Sequence, residues 1–195
     1  DYQTSKMGTK SLFALDNLWD GLGALIHSNK NARYFVGKVT IYKEYPTVAR
    51  ELIYEYMFRY FPDADQLITP KLPIVVSSKT KKAAQKLFTG KDASSDYKAL
   101  QKAVRNEGDS IPPLFNAYIG LSDTMRMFGS MIDHDFSSTY ETGIMVTMAD
   151  LLETKKNRYI EPYIEYLKIV IDVRKKAKKL AKEQREARSL ERIMK

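Results

Sequence analysis

The sequence predicts an α/β fold: a mixed sheet flanked by helices, with a long basic helix at the C-terminal end. Three observations lead there. A helix-period segment near residues 12–26, a β-branched and aromatic run near 34–42 and a proline-bounded helix at 47–60 follow one another in order. Helix, strand, helix in succession suggests layered α/β packing. Two strand-like runs then lie late in the chain, in "TMRMFGSMI" and "TGIMVTMADL". From Tyr163 onward, charged residues surround a thin apolar stripe.

Leu12, Leu15, Trp19, Leu22 and Ile26 recur at spacings of three and four, with Phe13, Leu18 and Leu25 widening the stripe. That is an amphipathic helix, and Thr9 or Ser11 can cap its start. Gly21 and Gly23 lie inside it and weaken it by about 1 kcal/mol each against alanine, so they imply tight packing against a neighbour. "RYFVGKVTIY" predicts a buried strand around Tyr34–Tyr42. Pro46 then opens a helix over Thr47–Tyr60, and Pro62 closes it.

Residues 63–110 read as a helical insertion. "DADQLITPKLPIVVSS" is loop-like, and "KTKKAAQKLFTG" and "SDYKALQKAVRNEG" are short surface helices ending at glycine. The paired prolines of "IPPLFNAYIGLS" start another helix. "TMRMFGSMI" alternates in part, "DHDFSSTYE" is a polar connection, and Ile144, Val146 and Met148 alternate as in a strand. The last two strands are expected to pair across that connection. The domain reading is therefore residues 1–162 as one domain and 163–195 as a basic helical tail.

Composition removes several kinds of chemistry. The chain has no cysteine, hence no disulfide, thiolate metal site or cysteine nucleophile, which fits a reducing cytosol. Its two histidines, His27 and His134, are far apart in sequence, so no metal site is expected. No apolar run approaches the roughly 18 residues of a membrane span. Residues 168–195 hold eleven Lys/Arg against four Asp/Glu and so carry +7 of the net +8. The body is nearly neutral, and the tail lacks the interleaved aromatics of a nucleic-acid binder, so no nucleic acid is expected. Such a tail can dock on the body, form a coiled coil, lie on an anionic membrane or extend into solvent, and a solvated, partly docked helix is the commonest outcome. No nucleophile elbow, Walker A loop or dinucleotide fingerprint occurs.

What remains is a short list. "QTSKMGTK" precedes the first helix, where unpaired amides and the helix dipole attract anions, and where Gly8 allows close approach of a phosphate. Lys6 and Lys10 add charge, and Ser5 and Thr9 add hydroxyls. Asp133 and Asp135 flank His134 and can be surface-loop acids or a converging pair.

These residues resemble the GNAT acyltransferases. In that family a loop of pattern Q/R-x-x-G-x-G/A binds the pyrophosphate of coenzyme A or phosphopantetheine; here it is Gln3-Thr4-Ser5-Lys6-Met7-Gly8, with lysine in the first glycine position. "IPPLFNAYIGL", "MFGSMIDHDF" and "ETGIMVTM" resemble the hemolysin-like branch that contains the ornithine- and glycine-lipid synthases. That branch carries paired prolines before a tyrosine-bearing helix, a glycine-containing strand, D-x-D-F and a closing apolar strand. "FALDNLWDGLGALI" and "YFVGKVTIY" resemble its bacterial lipid-forming members, so the likeness covers about residues 1–160 and not the tail.

The resemblance implies an enzyme, an N-acyltransferase moving a fatty acyl group from acyl carrier protein or acyl-CoA to the amine of an amino acid. Gln3, Thr4, Ser5, Lys6, Met7, Gly8, Thr9 and Lys10 would bind the phosphopantetheine. Tyr118 would protonate the leaving thiolate or else be a core tyrosine. Asp133 and Asp135 would bind the acceptor ammonium or take its proton, or else order the turn before Phe136. Lys38, Arg50 and the tail would meet an acidic carrier protein, and the tail can instead hold the enzyme at a membrane surface. In the family, strands precede the pyrophosphate loop, whereas this sequence starts at the loop. A complete fold is then expected to need those strands from elsewhere. The competing reading is a GNAT-like binding module without activity.

Overall fold

The computed structural model describes residues 14–193, with side chains described over 18–186. It falls into two compact units. One spans Ala32–Leu152; the other joins the residues before Ala32 to those after Leu152.

The Ala32–Leu152 unit is an α/β layer. Its sheet has three strands, β1 (Tyr34–Ile41), β2 (Arg126–Asp133) and β3 (Thr139–Thr147), in the order β1-β3-β2 with both pairings antiparallel. The last strand is thus the central one. Next to β2, residues 61–74 pair loosely along its outer edge: the Met127 amide donates to the Phe61 carbonyl at 2.8 Å, and the Ile74 amide to the Ser130 carbonyl at 2.9 Å. Pro62 and Pro73 bridge to the same edge, and proline, lacking a donor, suits an edge.

A bulge interrupts β2 between Met127 and Gly129. Two steps on β2 there match one step on β3, from Ile144 to Gly143. Gly129 sits at φ +96°, and a Cβ on it would stand 3.1 Å from Pro70 Cγ, so glycine is required.

One face of the sheet is covered by the central helix α2 (Thr47–Tyr60). That face carries Val39, Ile41, Thr142, Ile144, Val146, Met127 and Ser130, all buried. On the far side of α2 lie α3 (Ser78–Leu87) and α4 (Ala93–Asn106). Covered from both sides, α2 buries eight residues, including Arg50 and Glu51. The Ser77 hydroxyl caps α3 and binds Glu51 at 2.7 Å, and Asp92 caps α4 through the amides of Ser94 and Ser95. Asp96 accepts from the Tyr60 hydroxyl at 2.5 Å and from the amides of Thr89 and Gly90 at 2.9 and 2.8 Å. A single carboxylate thus ties α2, α4 and the α3–α4 connection together. Gly108 follows α4 at φ +88°, the left-handed position expected for it.

The buried strand expected at 34–42 is only half buried. Val39 and Ile41 are inside, whereas Tyr34, Val36 and Lys38 are exposed, because the outer face of β1 has no covering layer among the described residues. Met148 leaves the expected alternation for a short 3₁₀ turn, Met148–Asp150.

The second unit is helical. It contains α1 (Ala14–Ser28), α6 (Glu153–Tyr159) and α7 (Glu161–Ile193), while α5 (Pro113–Ile119) belongs to the sheet unit. Trp19 of α1 lies 6.2 Å from Tyr159 between ring centroids, and His27 lies 5.8 Å from Tyr163. Gly23 accounts for itself: a Cβ there would run into the Tyr159 carbonyl. Gly21 has nothing within 4 Å of that position among the described residues, so none of them requires it. Among the described residues no helix is long and apolar enough to cross a membrane.

Candidate functional site

The β2–β3 hairpin gathers charged groups on the outer face of the sheet. Lys38 stands opposite Gly143, which has no side chain to obstruct it, and its Nζ reaches Asp133 at 3.6 Å and Glu141 at 3.7 Å. The same ammonium lies 5.6 Å from the Phe136 ring centroid. Glu141 is buried within β3 and accepts from Thr40 Oγ1 at 2.9 and 3.0 Å. Thr139 Oγ1 is 3.0 Å from Glu141 and 2.9 Å from the Phe136 carbonyl. A hydroxyl carries one proton, so Thr139 donates to one of them at a time.

Asp133 and Asp135 come together here. Asp133 Oδ1 accepts the amides of Asp135 and Phe136, both at 3.1 Å, an Asx-type turn. That turn leads into Ser137 and Ser138, both at φ +54°. Asp135 itself is exposed.

The α2 face of the same sheet holds a second polar group. Arg50 is 5% exposed, and its guanidinium lies 3.5 Å from the Tyr140 ring centroid. Among the described residues Arg50 Nε and Nη1 have no hydrogen-bond partner, and neither does the hydroxyl of Tyr54, one helical turn further on and 1% exposed. No ion pair to Arg50 forms among the described residues. The neighbouring carboxylate, Glu51, is engaged by Ser77: burial pushes its carboxyl up, but hydrogen bonds from Thr80 and Ser77, with the charge of Arg50 nearby, outweigh this and hold it below its ordinary range. Beside Tyr54 the hydroxyls of Ser130 and Thr142 bond each other at 2.7 Å. Burial pushes the Tyr54 phenol up to about 12 despite these hydroxyls. Each buried donor without an acceptor costs about 1–3 kcal/mol, so the two Arg50 donors call for an acceptor, while Tyr54 has the Ser130 and Thr142 hydroxyls beside it.

Tyr118, on α5, places its hydroxyl 3.5 Å from where a Cβ on Gly37 would be. Gly37 pairs with Ile144, on the α2 face. Asp133 pairs with Thr139, five residues along β3 and on the outer face, about 17 Å away at ordinary strand rise. A single reaction centre is therefore within reach of Tyr118 or of the two aspartates, not of all three. Burial pushes the Tyr118 phenol above its ordinary value, so it stays protonated. Gln3 through Lys10 lie outside the described residues.

Arg50 was expected at a carrier-facing surface, but burial under Tyr140 removes it from any such surface. Arg50 and Tyr54 as a pair, and Glu141, were missed from sequence. The available signal was position. Arg50 and Tyr54 are one turn apart on a helix whose apolar and charged residues are mixed, and Glu141 interrupts a strand rich in β-branched residues.

No family model matches the chain, and no solved structure matches it. Over 165 residues, 85% of its length, it is 45% identical to a glycine N(alpha)-acyltransferase of Phocaeicola vulgatus, covering 50% of that protein. It is 43% identical, again over 85% of the chain, to a protein of the same name from Bacteroides thetaiotaomicron, covering 49% of it. The chain spans about half the length of these curated relatives, and the likeness supports an acyltransferase family for it.

Proposed function

We propose that this chain serves an N-acyltransferase of the GNAT-like, hemolysin-like branch. It moves a fatty acyl group from a thioester, on acyl carrier protein or coenzyme A, to the amine of an amino acid, glycine in the first instance, giving an N-acyl amino acid lipid. The observation that carries this is the 43–45% identity to glycine N(alpha)-acyltransferases across 85% of the chain. The paired prolines before α5, glycine-containing β2, the Asp133–Phe136 turn and closing β3 support the branch.

The chemistry is aminolysis. The neutral amine attacks the thioester carbon, the C–N bond forms and the C–S bond breaks. The sulfur leaves as thiolate and takes up a proton, while the nitrogen loses one. Protein groups supply positioning and proton routes. Tyr118, protonated at neutral pH as a phenol ordinarily is, donates to the departing sulfur. Gln3 to Lys10 hold the pyrophosphate of the donor. Asp133 orders the turn, leaving Asp135 exposed beside it. Residues 1–162 form the transferase portion, and the tail from residue 163 meets the acidic carrier or an anionic membrane.

The test uses two proteins: this chain, and a chimera in which it replaces the matching 165 residues of the Phocaeicola relative. Each is incubated with acyl-carrier or acyl-CoA donor and glycine, and N-acylglycine is read by mass spectrometry. Product from either supports the reading. A folded chimera without product, beside an active parent, overturns it and leaves the inactive binding module.

A further inference from the structure

We infer that Arg50, with Tyr54, is the binding site for the carboxylate of the amino-acid acceptor. This rests on the N-acyl-transfer reading above and names what that reading leaves open: how an amino acid is told from a plain amine.

Donors dominate the geometry, and among the described residues no carboxylate bonds the Arg50 guanidinium, although the charge of Glu51 is felt there. Among the described residues Arg50 Nε and Nη1 are buried without a hydrogen-bond partner, and the buried Tyr54 hydroxyl has only the Ser130 and Thr142 hydroxyls beside it. The two side chains stand one turn apart on α2 and so share a face. The Tyr140 ring at 3.5 Å occupies one flat side of the guanidinium, while the N–H donors of a guanidinium point outward along its edges. Stacking therefore fixes the plane and leaves the edges for an acceptor lying in it. Glu51 does not fill the role, because Ser77 takes both its oxygens. A buried guanidinium whose donors meet no acceptor is disfavoured, even with the Glu51 charge nearby. A small carboxylate supplies the missing acceptor oxygens.

Position fits the reaction as well. Arg50 lies over Tyr140, and the Tyr118 hydroxyl lies against Gly37, whose partner is Ile144. Tyr140 and Ile144 are four residues apart on one face of β3, about 14 Å. An arginine–carboxylate contact, an amino acid, the attacked thioester and a sulfur–hydroxyl contact laid end to end span about the same. The acceptor's carboxylate would sit at one end of this face and the departing sulfur at the other.

The experiment measures binding of glycine, glycinamide and ethylamine to the chain by calorimetry, without any acyl donor. Glycine is expected to bind at least about tenfold more tightly than glycinamide, which keeps the amine and loses the charge. In Arg50→Lys and Arg50→Gln that preference is expected to fall to within about twofold of unity. Tyr54→Phe conserves the packing, guards against misfolding of the arginine variants, and is expected to lower the preference several-fold. Equal binding of glycine and glycinamide by the unaltered chain, or an unchanged preference in folded Arg50 and Tyr54 variants, overturns the inference. Failure of the acyl-transfer reading is seen separately, as absence of N-acylglycine from the chimera while glycine selectivity persists.

Discussion

Replacing Asp96 by asparagine tests how the helical layer is held. Asp96 is 2% exposed and accepts four hydrogen bonds, from the Tyr60 hydroxyl, the Thr89 amide and hydroxyl, and the Gly90 amide. Burial alone would raise its carboxyl, but these donors outweigh burial and hold it at about 2. In Asp96→Asn the amide oxygen can still face Thr89. The amide nitrogen then faces Gly90, whose N–H is left without an acceptor, while Tyr60 can turn to accept. One orphaned buried donor costs about 1–3 kcal/mol, and loss of charge assistance on the remaining bonds adds a comparable amount. We expect a loss of about 3 kcal/mol at neutral pH, read by urea denaturation followed by circular dichroism. The sign with pH is fixed by linkage. A carboxyl depressed in the folded state stabilises fully above its unfolded value, about 3.9, and loses this as pH falls toward about 2. The gap between parent and variant should therefore be constant from pH 7 to 5 and narrow below about pH 4. A loss under about 0.5 kcal/mol, or a gap that stays level down to pH 3, would refute the reasoning.

Gly21→Ala is expected to stabilise α1 by up to about 1 kcal/mol, whereas Gly23→Ala should destabilise the helical unit by about 2–3 kcal/mol through its clash with the Tyr159 carbonyl; proteolytic sensitivity of that unit checks both. Tyr118→Phe should lower kcat for acyl transfer about tenfold with little change in KM for glycine, and an unchanged kcat would remove Tyr118 from the proton route. Asp133→Ala removes the acceptor of two turn amides and should cost about 1–2 kcal/mol in thermal denaturation. Deleting residues 168–195 removes +7 of charge and should abolish salt-sensitive sedimentation with anionic vesicles; undiminished sedimentation would place membrane contact elsewhere.

Local signals in the sequence located most elements. Pro46 and Pro62 bracket α2, which runs over Thr47–Tyr60 as the proline rules require. The long charged helix and both late strands follow from period alone. α6 was not legible, because seven residues of "ETKKNRY" carry no apolar stripe and stand as a helix by packing against α1 and α7. The half-open face of β1 was not legible either, since coverage depends on which layers meet the sheet. For the site, Asp133 was visible as a motif member. Arg50 looked like a surface charge because a burial reversal at one position leaves no trace in composition. Its pairing with Tyr140 joins residues ninety apart in sequence.

The bulge in β2 has a further consequence. Alternation along a strand works like a reading frame, and the extra residue at Phe128 resets it: Met127 and Ser130 face the same helix although they are three positions apart. The two ends of the strand are thereby decoupled. A residue gained or lost at this point is absorbed where it falls. The same change anywhere between Gly129 and Asp133 would turn over everything up to the hairpin tip, moving Ser130 out from under α2 and Asp133 away from Lys38. Length variation in this strand among natural sequences should therefore concentrate at Phe128, and a library that shortens or extends β2 should leave folded members at that position alone.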